Sequence, residues 1–251
     1  MSRETIRTIV RTMYDFQDQR IRMANRLKKK RDGSDQIGAE DIRLDDESIP
    51  VIVDVWQDTH DAEKKLAKAL EKELNGFPVY EHYLKHVHGC GPLMSAVIIA
   101  EYDIHRADTV SKLWQFTGLN PGMVRGNVAK GSRKEGTFAI EKSDTLVRGD
   151  RRTPGFLSPF NGWLRTKMCG VLADSFIKLR SPYRKYYDDY KARLEQEEGW
   201  KDETKGHRAN AAKRYMIKMF LRDLYVAWRT LEGLPVRPPY AEEYLGKRHS
   251  A

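Results

Sequence analysis

The stretch His88-Gly-Cys-Gly-Pro-Leu-Met-Ser-Ala96 holds the residue types best suited to chemistry in this chain of 251 residues. Two glycines separated by one residue, then proline, then the apolar run Val97-Ile-Ile-Ala100, describe a tight turn opening into a helix. Glycine at 89 and 91 permits positive φ and close backbone approach. Pro92 suits the first helical position, where its missing N–H costs nothing. The amides from Gly91 to Met94 would then point outward at the positive end of the helix dipole, a site for an anion such as phosphate. Gly89, Gly91, Leu93 and Met94 are therefore candidate contacts to a phosphate chain.

Cations follow in the segments that would have to close around such a chain. Residues 123–153 are rich in Gly, Lys, Arg, Ser and Thr. They read as a long basic loop, with a short hairpin near 136–140, that orders on nucleic acid. Its candidate contacts are Arg125, Lys130, Arg133, Lys134, Arg148, Arg151 and Arg152, with Arg165 beyond. Arg184 and Lys185 stand among Tyr183, Tyr186, Tyr187 and Tyr190, rings that could stack on unpaired bases or serve as core-edge packing. Lys213, Arg214 and Lys218 lie off the apolar face of a last helix. His86, His88 and Cys90 flank the glycine corner, but no second ligand pair accompanies them. No metal and no cofactor is expected.

Charge and composition narrow the partners. The formal net charge is +9 and the pI about 9.4, which favours a polyanion. No apolar run approaches the length of a membrane span, so no membrane partner is expected. Cys90 and Cys169 are too few for a disulfide framework and point to a reducing compartment. Met1 to Arg11 is polar and charged, unlike a secretory leader. The expectation is a soluble cytoplasmic protein associated with the nucleoid.

The elements that must position these residues are mainly helical. Ile6, Ile9, Val10, Met13, Phe16, Met23 and Leu27 recur at helical spacing over 2–30, with arginines on the other faces, before Asp32-Gly-Ser-Asp35 and an acidic loop at 40–47. Ile52, Val53, Trp56, His60, Leu66, Leu70 and Leu74 mark a second long helix over 49–74. The pair predicts a helical hairpin or an inter-subunit coiled coil, and a homodimer is expected. A helix over 79–87 leads into the glycine corner, so this unit resembles a helix–hairpin–helix. Further helices are predicted around Leu113, Trp114 and Phe116, and over 156–179, 183–194 and 207–231. No strand pattern stands out. The expected division is an N-terminal helical region at 1–76, a nucleic-acid-binding domain at 77–240 and a tail at 241–251.

Taken in order, these pieces resemble the C-terminal half of the insertion-sequence-110 (DEDD-type) transposases. The matching residues are Gly89-Cys-Gly-Pro92 with Ala96, Leu113 to Phe116, Gly118-Leu-Asn-Pro121 and Gly131-Ser-Arg-Lys-Glu-Gly136. They continue with Leu157-Ser158 ahead of Leu164-Arg165, Ser181-Pro-Tyr-Arg-Lys-Tyr-Tyr187, and Ala211-Ala-Lys-Arg214 through Trp228. The resemblance implies a DNA-binding helical domain of a mobile-element recombinase. The family's N-terminal RuvC-like nuclease domain has no counterpart here, and Asp41, Asp45, Asp46 and Glu47 lack the strand scaffold of a two-metal site. The family uses a serine nucleophile in this region, and Ser158 stands nearest that position by context. It is equally placed to cap the helix that begins near Phe160.

The expected function is therefore DNA binding through the phosphate backbone of duplex or branched DNA. The alternatives are an active serine recombinase subunit, completed by a nuclease domain or guide RNA in trans, and a structured-RNA-binding protein.

Overall fold

The two amphipathic stretches at the start of the chain fold as α1 (Arg3–Leu27) and α2 (Pro50–Leu74), in a computed structural model that describes residues 2–27, 50–134 and 136–238. The helix end read at 28–35, the acidic loop at 40–47 and the tail at 241–251 lie outside the described residues. α1 and α2 run antiparallel. Gln17 and Arg20 both bond Glu63, and Ala24 packs with Trp56 at one end. At the other end Ile6, Val10 and Tyr14 share a core with Leu70 and Leu74.

The helix read over 79–87 is instead α3 (Pro78–His82) followed by a 3-10 turn at Leu84–His86. Tyr83 leaves helical geometry between them (φ −137°, ψ −67°), and Val79, Tyr80 and Leu84 all reach the core. After the glycine corner comes α4 (Pro92–Glu101), in which every residue from Met94 to Glu101 is buried. A helix apolar on nearly all sides must be enclosed, and α1 and α2 both pack on this one. α5 (Val110–Thr117) then stops at Gly118, whose left-handed φ of 73° supplies the usual glycine C-terminus.

Residues 123–153 hold two strands, β1 (Met123–Lys130) and β2 (Ala139–Arg148). They pair antiparallel from Met123 opposite Arg148 to Lys130 opposite Ala139, with an irregularity between Arg125 and Asn127. The sequence shows no alternation because only Gly126 and Val147 of this ribbon are buried. A strand without a buried face has no reason to alternate.

The single helix read over 156–179 begins later, as α6 (Gly162–Thr166), a π turn at Lys167–Leu172 and α7 (Ala173–Lys178). Its cap is Asn161, whose side chain accepts from Leu164 N at 3.0 Å. α8 (Arg184–Gln196) and α9 (Lys205–Leu231) complete the chain, and Thr204 caps α9 through His207 N. Arg229 near the end of α9 is buried, and its guanidinium holds the carbonyls of Ile104, Ala107 and Pro235. The architecture is mainly α with one two-stranded ribbon. Among the described residues no helix is long and apolar enough to cross a membrane.

Candidate nucleic-acid interface

Gly89 adopts φ 91°, and a Cβ there would lie 2.9 Å from Phe176 Cδ1. The glycine thus lets α7 pack against the corner, and Ser175 Oγ donates to its carbonyl at 2.7 Å. Gly91 is exposed and precedes α4 with no side-chain cap, while Leu93 is half-buried and Met94 buried. The corner therefore has one face sealed by Phe176 and one, at Gly91, open to solvent.

Among the described residues the ribbon is anchored along its lower half. Val147 is buried, Phe156 lies over Gly126, and Leu157 N donates to Asn127 O at 2.7 Å. Gly149 N bonds Gly122 O at 2.8 Å, and Asn161 N bonds Phe116 O at 2.9 Å. A lone two-stranded hairpin is marginal in water, so these contacts hold it upright. Arg125 among them is exposed, and beyond them so are Lys130, Arg133 and Lys134, with Lys130 paired to Glu141 and Arg133 over the Phe138 ring.

At the foot of the ribbon several cations converge. Arg148 makes a two-pronged bond to Asp150, Nε at 3.0 Å and Nη2 at 3.2 Å. Arg165 donates to the Asp150 carbonyl and stacks over Phe160. Arg152 lies against Gly162, where a Cβ would meet its Nη2 at 2.7 Å. Arg214 is half-buried, and burial together with the nearby Arg165 charge lowers its pKa. An arginine does not give up its proton in a protein, so that lowering marks a retained positive charge that burial and Arg165 disfavour and Asp150 partly offsets. Burial pushes the neighbouring Cys169 thiol up to about 11, opposed by Arg165, Arg214 and Lys213. Lys213 itself pairs with Asp174. Of these five cations, Arg148 bonds the Asp150 carboxylate and Lys213 that of Asp174. Burial alone would raise the Asp150 carboxyl, but the hydrogen bonds and charge of Arg148, with Arg165 behind, carry it below its ordinary value. α7 ties this cluster to the glycine corner, because Ser175 bonds Gly89 and adjacent Asp174 bonds Lys213.

Protein-family models, curated proteins and solved structures give no match to this chain.

The other residues singled out in the sequence take different places. Ser158 is exposed, and its hydroxyl donates to Phe160 O at 2.8 Å; it caps no helix, since Asn161 does so. Among the described residues no acid, lysine or histidine bonds it. Arg151 and Lys185 are exposed, while Arg184 is tied to Asp188 and the Ile177 carbonyl. Lys218 sits over the Trp114 ring at 4.5 Å, and burial lowers its pKa.

One part of the surface escaped sequence reasoning. Arg11 lies 3.5 Å over the Trp163 ring, and Lys167 lies 3.4 Å over Tyr14. Arg11 and Arg7 both reach Glu101, to which Asn161 Nδ2 also donates at 2.6 Å. Helix α6 thus presents Trp163 to Arg11 and Lys167, and Arg165 to the cluster at the ribbon. The only local hint was the i,i+4 spacing of Trp163 and Lys167.

Proposed function

We propose that the chain binds DNA, gripping the phosphate backbone with the cations at the foot of the ribbon and laying the ribbon along a groove. The observation that carries this reading is the gathering of Arg148 and Arg165 on Asp150, with Arg214 beside Arg165, Arg152 against Gly162 at the start of α6, and Lys213 paired to Asp174 of α7. Cations held together against their own repulsion favour an external polyanion. A two-stranded ribbon is one of the two elements that a B-DNA major groove admits, and the exposed Arg125, Arg133 and Lys134 would then flank the backbone. The ordered motifs that resemble insertion-sequence-110 transposases support the same reading. Such contacts position a protein without specifying sequence.

The test is fluorescence anisotropy with a labelled duplex, a four-way junction and a structured RNA, at about 50 and about 200 mM salt. Duplex or junction binding should weaken on the order of a thousandfold across that range if about six phosphates are engaged. Tighter binding of RNA than of either DNA would reassign the partner. Failure to bind any of the three at low salt would end the proposal.

A further inference from the structure

A cavity of about 410 Å³ opens beside the glycine corner, between the 3-10 turn and the start of α8. Its walls include Tyr83, Pro182, Tyr183 and Tyr186, with Asp223 from α9 and Ser181 from the α7–α8 corner. The Ser181 hydroxyl is buried and bonds nothing among the described residues. Arg180, just before it, holds φ 55°, a conformation rare for a residue with a side chain. Buried polar atoms in native folds have partners, and an orphan calls for an explanation. A ligand in the cavity would be one.

The hydroxyl protons around the cavity can be counted. Tyr183 donates its proton to Asp223 Oδ2 at 3.0 Å, so in the 2.9 Å pair with Tyr83 it is Tyr83 that donates. The Tyr83 oxygen is left as an acceptor toward the cavity. Asp223 Oδ1 accepts from Arg222 Nε at 2.9 Å, and each carboxylate oxygen keeps a lone pair. Arg222 Nη2 also donates to the Tyr186 hydroxyl at 3.4 Å, which frees the Tyr186 proton. The cavity therefore pairs aromatic walls with acceptors at Tyr83 and Asp223 and with donors at Tyr186, Ser181 and Lys185. From its rim the rings Tyr183–Tyr186, Tyr186–Tyr215 and Tyr215–Tyr190 follow one another at 6.3, 6.4 and 4.3 Å. Tyr190 in turn lies within electrostatic reach of Arg214 in the cation cluster.

We infer that this cavity takes a single unstacked nucleobase carrying an exocyclic amino group, as in adenine, cytosine or guanine. It rests on the DNA-binding reading, since the aromatic row leads from the cations that would hold the strand to the pocket that would hold the base. Unpaired bases are recognised by aromatic stacking and by hydrogen bonds on their edges. The Asp223 carboxylate and the Tyr83 oxygen welcome an amino donor and repel the carbonyl that uracil and thymine present in its place.

The probes are AMP, CMP and UMP, titrated against the whole chain and followed by chemical-shift changes, with inorganic phosphate as control. AMP and CMP should saturate with an affinity about tenfold above UMP, roughly what one net hydrogen bond contributes. Ser181→Ala and Tyr83→Phe each remove one hydroxyl and should weaken AMP about tenfold while leaving the phosphate control unchanged. Equal response to AMP, UMP and phosphate would overturn the inference, as would silence toward all nucleotides. Silence of the nucleotides with intact DNA binding sinks the pocket alone. Saturation by AMP in a chain that ignores DNA supports the pocket and sinks the DNA-binding reading.

Discussion

Arg11 Nη2 lies 2.6 Å from Glu101 Oε1, joining the first helix to the end of the buried central one across 90 residues of chain. Glu101 stands in the last turn of α4, where the helix dipole disfavours a carboxylate, and its side chain is 1% exposed. Arg7, Arg11 and Asn161 offset both costs. The pair thus fixes α1 against α4 and also sets Arg11 on the Trp163 ring.

Glu101→Gln should therefore destabilise the fold by about 2 kcal/mol, since it strands two arginines that remain partly solvated. In a chain of this size that corresponds to a fall in Tm of roughly 5 °C. Thermal unfolding followed by circular dichroism reads it directly. An unchanged Tm would mean that the arginines turn to water at no cost.

The cation cluster makes a prediction that separates binding from folding. Arg165→Gln and Arg214→Gln should each lower the slope of log affinity against log salt by about one and weaken DNA of any sequence alike. Arg214→Gln should leave Tm unchanged or raise it, because a desolvated and mutually repelled charge is removed. A sequence-dependent loss would point to base contacts instead.

Asp150 couples the two properties with opposite signs. Its folded pKa lies below the ordinary value, so its contribution to stability is complete above about pH 3.9. It is lost as pH falls through the lower, folded value. Asp150→Asn should loosen the foot of the ribbon at neutral pH, and the gap to the parent should close in acid. The same change removes a negative charge from among the arginines and should tighten DNA binding near pH 7. Parallel stability and anisotropy measurements at pH 7 and below pH 3 check both signs.

Gly89→Ala tests the corner. The substitution places a side chain at positive φ and against Phe176, at a cost on the order of 1–3 kcal/mol. Gly91→Ala meets nothing within 4 Å and should leave Tm nearly unchanged. Denaturant melts of the two variants should differ accordingly.

The long helices α1, α2 and α9 were legible because each buries one face, and burial of one face writes its period into the chain. The stripes at Ile6, Val10 and Met13 and at Leu70 and Leu74 located α1 and α2, and Gly89-Cys-Gly-Pro92 located the start of α4. The ribbon was illegible for the converse reason: a strand pair solvated on both faces leaves no pattern of polarity. Ser158 could be read as a helix cap because its type suits that role. Asn161 took the cap instead, its side chain accepting from Leu164 N.

What the amino-acid order determined by itself was a basic, mainly helical chain with a turn opening into a largely apolar helix. Local spacing and composition are enough for that. Tertiary packing alone decided that Trp163 meets Arg11, that Arg165 meets Asp150 and Arg214, and that Tyr83, Tyr183 and Asp223 close one side of a cavity. Tyr83 and Tyr183 are 100 residues apart, and Tyr183 and Asp223 are 40 apart. No periodicity along the chain can report such meetings, because they depend on how buried faces are oriented against one another.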